Sequence, residues 1–245
     1  MATPTGQTYG ELQTAFDHYN WELFDGRLPP CLITLQRKAQ TFGYFCKHRF
    51  VHAADRSMTD EIALNPEYFA RAPLVEILQT LVHEMTHAWQ AHFGDPGRRS
   101  YHNKEWARKM ESIGLMPSST GRPGGAKTGE RVSDYPIEGG PFMQATEALL
   151  TREFRISWVD RFARAVDVTA GHVLAPELDL DGASAITAPV MGEADPALIA
   201  PSPARNRSNR VKYRCPGCGA QAWGKPNLRL LCGEEDCNGV PFNPV

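Results

Sequence analysis

A run of apolar residues at helical spacing, residues 74–89, contains the motif H-E-x-x-H at residues 83–87. A helix turns about 100° per residue, so residues four positions apart share one face. His83 and His87 are therefore predicted to direct two imidazoles at one metal ion, with Glu84 beside them to accept a proton from water. The apolar positions predict that this helix is buried in a domain. An amphipathic helix with two ordinary histidines is the alternative.

The third metal ligand must follow this helix. A catalytic zinc ion usually takes three protein ligands and keeps one position open. His92 lies nine residues after His83, which is about half a turn away from that face. The loop at residues 94–97 reads Gly-Asp-Pro-Gly and predicts a break, after which a second helical pattern begins. His102, at the start of that pattern, is the favoured ligand, and Glu105 is the alternative.

These segments resemble a known family. The sequence HEMTHAWQ at residues 83–90, then a glycine-containing loop, then HNKEW at residues 102–106 is similar to the SprT-like, Spartan-type zinc metalloproteases. The resemblance covers roughly residues 8–117 and implies an α+β, zincin-like domain with helices packed on a small sheet. It carries over four site residues: His83, His87 and His102 for zinc, and Glu84 as general base.

Residues 1–117 are predicted to form this catalytic domain. A capping box at residues 8–11 predicts the start of the first helix, and β-rich segments predict strands at 31–35, 42–46 and 61–64. In zincins a strand beside the metal helix binds extended substrate through its backbone. By resemblance, residues 61–65 are the candidate for that edge.

The next two segments contain no chemical motif. Residues 118–164 are predicted to be a small appended segment, in which a Gly-rich loop precedes a strand, a helix and a second strand at 154–158. Residues 165–208 have the composition of a flexible linker, because up to residue 204 they contain six acidic residues, no Lys or Arg, and many Ala and Pro.

Two cysteine pairs distinguish residues 209–245. Thirteen residues separate the pairs, and each lies in a Gly-containing turn, as in a four-thiolate zinc ribbon. A segment this short and poor in apolar residues is not expected to fold unaided. A structural zinc ion supplies about 10–16 kcal/mol of apparent binding free energy, which becomes folding free energy. A redox CxxC is the alternative. The predicted zinc ligands are Cys215, Cys218, Cys232 and Cys237.

The tail is also basic. Between Arg205 and Arg229 there are seven Lys or Arg residues and no acid, with Tyr213 and Trp223 among them. Cations for phosphates and rings for stacking on bases suggest nucleic-acid binding. A solvated ribbon face, with Trp223 packing on its own hairpin, is an equal alternative from composition alone. The family resemblance favours DNA.

Length and composition set the remaining expectations. The 245 residues carry a net charge of −2 and are 42% hydrophobic, without an apolar run of 18 residues or a signal-peptide pattern at the N-terminus. A cytoplasmic, membrane-free protein is expected, and in that reducing compartment six cysteines indicate metal before disulfides.

The sequence thus predicts a zinc metalloendopeptidase with one catalytic and one structural zinc ion. The resemblance implies protein substrates and DNA as partners. Two alternatives remain: a zinc-dependent DNA-binding or regulatory protein that uses the protease fold as a scaffold, and a protease of free proteins whose ribbon docks proteins. The presence of Glu84 argues against the scaffold, which would not need a general base.

Overall fold

The structure is a computed structural model that describes residues 3–38, 41–98, 101–150, 154–162, 190 and 210–245. Its helices are α1 (Pro4–Phe24), α2 (Leu74–Phe93), α3 (Lys104–Ser112) and α4 (Pro141–Leu150). Its strands are β1 (Cys31–Leu35), β2 (Gly43–Val51), β3 (Met58–Leu64), β4 (Leu115–Ser118), β5 (Ser133–Pro136), β6 (Val211–Arg214), β7 (Gln221–Gly224) and β8 (Asn243–Pro244). The predicted α+β class is confirmed. Two compact units, Met1–Ser202 and Pro203–Val245, divide the chain.

Helix α1 begins earlier than the capping box predicted. The Thr3 hydroxyl accepts a hydrogen bond from the first turn, and Pro4 occupies the first helical position, where its fixed φ is favourable. Thr8 lies inside the helix, with its hydroxyl donating to the Pro4 carbonyl at 2.9 Å. The helix ends at Asp25, whose φ of 56° is left-handed.

The first sheet has the strand order β1-β3-β2, with β1 parallel and β2 antiparallel to β3. Strand β3 is therefore central, and the assignment of residues 61–65 to the sheet edge was wrong. Ile62 and Leu64 point into the core and belong to one face, since side chains two apart share a face. Among the described residues β2 pairs with β3 alone, so β2 is the edge strand next to α2.

Helix α2 lies in the middle of the first unit. Fourteen of its 20 residues are buried, which fits its broad apolar surface. It ends before Gly94, and the turn that follows is held by Glu105, whose carboxylate accepts hydrogen bonds from the Asp95 N–H and the Gln90 side chain at 2.7 and 2.8 Å. This turn directs the chain back toward α2.

Residues 115–150 pack against the helices. Strands β4 and β5 form an antiparallel pair, and α4 follows. Helix α4 contacts α1 through two buried hydrogen bonds: the His18 ring to the Ala145 carbonyl at 2.7 Å, and Tyr19 to Thr146 at 2.8 Å. The strand predicted at residues 154–158 does not form. Instead, Ser157 hydrogen-bonds the Glu11 carboxylate, so side-chain contacts replace a ladder.

The second unit is built on a small antiparallel sheet with the order β7-β6-β8. Its buried interior consists of three cysteines and Tyr213, with a few partly buried apolar side chains such as Val240 and Phe242. So few apolar groups cannot hold a fold together by burial alone.

Apart from Val190, the predicted linker at residues 165–208 lies outside the described residues. The amide of Val190 donates to the Ala72 carbonyl at 3.3 Å. No helix in the described part of the chain is both long and apolar enough to span a membrane.

Candidate metal centres

The structure brings the three predicted histidines together. His83 and His87 project from one face of α2, with ring centroids 5.1 Å apart. His102 lies just before α3, where Asn103 caps the helix by accepting the N–H of Trp106 at 3.0 Å. The ligand atoms of the three residues form one group that can hold a metal ion.

The spacing of these nitrogens suits tetrahedral zinc. Zinc–nitrogen bonds of about 2.0–2.1 Å at tetrahedral angles put two ligand nitrogens about 3.3 Å apart. The Nε2 atom of His102 lies 3.1 Å from Nε2 of His87 and 3.4 Å from Nε2 of His83. Both distances are close to that value, and the ligand atoms of all three side chains lie within 4.8 Å of one another.

Hydrogen bonds to the other ring nitrogens fix the direction of two ligands. Nδ1 of His83 lies 2.7 Å from the Asp134 carboxylate, and Nδ1 of His102 lies 3.1 Å from the Gly129 carbonyl. Both oxygens accept hydrogen bonds, so the histidines donate from Nδ1 and keep lone pairs on Nε2. Sequence reasoning missed Asp134 and Gly129, which follow the motif by many residues and have no local signature.

The pKa shifts of two of the three histidines favour the neutral form that binds metal. Burial, followed by the neighbouring His83 charge, holds the pKa of His87 well below its usual value and lowers the pKa of His102 to about 4. Burial also opposes charging of His83, but the hydrogen bond and charge of Asp134 outweigh it and raise the pKa of His83. Neutral imidazoles at His87 and His102 are what a divalent ion binds.

The ring of Trp106 packs against all three histidines. It is fully buried, and its ring centroid lies 4.9 Å from His83, 5.2 Å from His87 and 4.4 Å from His102. A large rigid ring in contact with each imidazole restricts their rotamers.

Glu84 is buried between α2 and the edge strand. The N–H of Phe45 in β2 donates to its carboxylate, and burial raises its pKa to about 7. Strand β2 approaches closely because Gly43 has no side chain: a Cβ there would lie 3.2 Å from Cγ of Glu84 and 2.9 Å from the Ala63 carbonyl oxygen. A carboxylate with this pKa can both accept and return a proton near neutral pH.

Glu105 and His92 lie outside the three-histidine group. Glu105 binds the turn after α2 and belongs to neither metal-binding group found among the described residues. His92 hydrogen-bonds the buried Asp60 carboxylate at 2.5 Å, as expected for a residue off the His83 face. His102, and not Glu105, is therefore grouped with His83 and His87.

The four C-terminal cysteines form the second group. The sulfur of Cys215 lies 3.7 Å from that of Cys237, and the sulfur of Cys218 lies 3.5 Å from that of Cys232. Zinc–sulfur bonds of about 2.3 Å at tetrahedral angles require about 3.8 Å. The N–H of Cys218 donates to Cys215 and lowers the pKa of that thiol to about 6, which favours the thiolate. The four thiols can hold a metal ion.

Of the two aromatic residues in the basic tail, Trp223 is exposed to solvent and Tyr213 is not. Trp223 is 61% exposed, and the Lys212 ammonium lies 5.7 Å from its ring centroid across the β6–β7 pair. Arg214 lies two residues after Lys212 and so shares its face. Tyr213 is buried, and its hydroxyl donates to the Lys225 carbonyl and accepts the Leu228 N–H. Stacking of Tyr213 on a base is excluded, because the ring supports the ribbon.

Comparison with known proteins gives a family match. The model of the SprT-like family matches residues 12–123. A protein of Salmonella typhimurium, described as an uncharacterized protein in the mucB 3' region, is 52% identical over 59 residues, which span 24% of this chain and 80% of that protein. No solved structure matches. Gly129 and Asp134 lie beyond the matched range.

Proposed function

The chain belongs to the SprT-like family, and from this premise we propose that it is a zinc-dependent metalloendopeptidase acting on DNA-associated proteins. The observation that carries the proposal is the meeting of three imidazoles, from His83, His87 and His102, next to the buried carboxylate of Glu84. We assign the catalytic part, with a zincin-like arrangement, to residues 1–117 and the residues that pack on it.

The chemistry of the site follows from its side chains. His83, His87 and His102 would hold a zinc ion, which would serve as a Lewis acid toward water and the scissile carbonyl. Glu84 accepts the proton of the attacking water and returns it to the leaving amine. The Phe45 N–H orients the carboxylate for these transfers.

The edge strand β2 is the proposed substrate-binding element. Backbone groups of successive strand residues point to opposite sides of the strand, so those of residues two apart point to the same side. Since the Phe45 N–H points to Glu84 and away from β3, the backbone groups of Gly43 point to the same side. An extended peptide that pairs with this edge passes directly over the general base. Recognition through the backbone makes few demands on substrate sequence.

The ribbon is proposed to bind DNA and to take a structural zinc ion on its four cysteines. The exposed ring of Trp223 offers a stacking surface, while Lys212 and Arg214 on the same face offer charge for phosphates. A zinc ion would replace the apolar core that this unit lacks.

The proposal is tested by proteolysis. The full chain is stripped of metal, reloaded with zinc and incubated with a DNA-binding protein, with and without DNA; a protein of similar size without DNA affinity is the control substrate. Cleavage that needs zinc and rises with DNA only for the DNA-binding substrate supports the proposal.

Two other results would point to the alternatives. Equal cleavage of both substrates, whether or not DNA is present, would indicate a protease of free proteins. No cleavage by the zinc-loaded chain under any condition would indicate a DNA-binding scaffold.

A further inference from the structure

Two of the three histidines are held by one segment that extends past the end of the matched family range. This segment, called here the β4–β5 arm, comprises residues 115–136 and contains Gly129 and Asp134. It leaves the end of α3, forms the antiparallel pair of β4 with β5 and returns to α2. The matched range ends at residue 123, so both contacts with the histidines lie beyond it.

Asp134 is held in place through its backbone, and its side chain has few hydrogen-bond partners. The Gln79 amide on α2 donates to the Asp134 carbonyl at 2.8 Å, which holds the β5 backbone against the helix one turn before His83. The Asp134 side chain is fully buried. One carboxylate oxygen meets His83, and the other has no hydrogen-bond partner within the described part of the chain.

A buried carboxylate in this state needs compensating charge. A single imidazole N–H does not offset the cost of removing a carboxylate from water. A divalent ion on the opposite ring nitrogen polarises that N–H and supplies positive charge to balance the carboxylate. The carboxylate in turn makes the His83 imidazole a stronger donor to metal.

Gly129 holds the second ligand at three points. Its N–H and carbonyl pair with the backbone of His102 at 3.1 and 2.8 Å, and the same carbonyl accepts Nδ1–H of the ring at 3.1 Å. The φ angle of Gly129 is 147°, a region that favours glycine. The arm therefore sets both the position and the ring orientation of His102.

We propose that the β4–β5 arm is a metal-retention clamp, in which Asp134 is the positioning residue that sets the affinity of the three-histidine site. The inference rests on the proposed function, because it takes the histidines as metal ligands. It adds a determinant that the H-E-x-x-H motif does not contain.

The clamp is tested in the full chain by competition between the protein and a zinc chelator. Loss of a group that supports a metal ligand typically weakens metal affinity about 10–100-fold. Asp134→Asn, which keeps the shape but loses the charge, and Asp134→Ala are each expected to weaken zinc binding at the histidine site within that range. Zinc on the ribbon is the internal reference and should not change.

The matched control is Glu111→Gln. Glu111 pairs with Lys127 of the same arm at 3.0 Å, but on its exposed side. This variant should keep wild-type zinc affinity. Melting temperatures of the metal-free proteins separate a purely structural effect, since a structural role lowers them without changing zinc affinity. If the Asp134 variants are too unstable to assay, Gly129→Ala, strained at its φ of 147°, must weaken zinc binding instead.

The outcomes distinguish this inference from the proposed function. Wild-type protein that binds no zinc at the histidines would overturn the proposed function itself. Wild-type binding with Asp134 variants within twofold of it, or an equal loss in Glu111→Gln, would overturn the clamp alone. Loss confined to the Asp134 variants supports it.

Discussion

At the scale of single residues, His102 and Glu105 have separate tasks although both lie near the start of α3. The carboxylate of Glu105 holds the turn after α2 through Asp95 and Gln90. His102→Ala is expected to lose the zinc of the histidine site and the proteolytic activity together. Glu105→Ala is expected to keep most of that zinc and to lower the free energy of unfolding by about 1.5–3 kcal/mol. Metal analysis with denaturant unfolding checks both; zinc lost only from Glu105→Ala would reverse the assignment.

Local spacing made some of these residues predictable and left others out of reach. His83, Glu84 and His87 share one helix, where 3.6 residues per turn fixes which side chains meet. Only one loop separates His102 from this helix, so its return to the helix could also be predicted from the sequence. Asp134 contacts His83 from 51 residues away, and it lies in a strand of four residues that carries no motif. Such a contact depends on tertiary packing, and the spacing of residues along the sequence does not reveal it.

At the scale of elements, the contact between β2 and α2 depends on Gly43. A side chain there would collide with the Ala63 carbonyl and press on Thr80 and Glu84. Gly43→Ala is therefore expected to move the edge strand away from the general base, to lower kcat/KM and to cost about 1–3 kcal/mol of stability, with zinc content unchanged.

The control for this variant is a glycine with free space around it. Gly10 on α1 has no atom near the position of a Cβ, so Gly10→Ala should leave activity unchanged and add about 0.5–1 kcal/mol. Steady-state kinetics and thermal unfolding compare the two. Wild-type kcat/KM in Gly43→Ala would show that the spacing of β2 and α2 has no part in catalysis.

Sequence patterns predicted these elements better than their arrangement. The bounds of β1 were predicted as the structure has them, because its apolar residues are bounded by prolines and polar residues. Strands β2 and β3 extend beyond the ranges predicted for them, residues 42–46 and 61–64. The strand order could not be predicted, because composition does not show which strands pair. Strand β3 is central because it pairs with both β1 and β2.

At the scale of the whole molecule, the two metal-binding groups predict two zinc ions per chain. The histidine group offers three ligand atoms, which would leave one position of a zinc ion open, whereas the four thiols of the ribbon would enclose an ion. Chelator is therefore expected to remove the histidine-bound zinc first. Elemental analysis during chelator titration checks both the number and the order. One zinc ion in fully folded, metal-replete protein would contradict one of the two sites.

The division of labour between the units gives a second prediction at this scale. Ending the chain at Ser202, where the first unit ends, should leave zinc on the histidines and remove the DNA affinity that depends steeply on salt. Each lost phosphate contact lowers the slope of log K against log salt by about 0.7–0.9. Binding measured over a range of salt concentrations tests this. Unchanged affinity at every concentration would mean that the ribbon is not the DNA-binding module.

The central claim is hydrolysis with Glu84 as general base, and Glu84→Gln tests it most directly. Glutamine keeps the shape of the side chain but cannot accept the proton, so the rate of substrate cleavage should fall about 10²–10⁴-fold. Glu84 is not a zinc ligand in this account, so zinc content and melting temperature should stay at wild-type values. Cleavage by Glu84→Gln at the wild-type rate would contradict the account, because the helix that carries the motif would then not be a hydrolytic site.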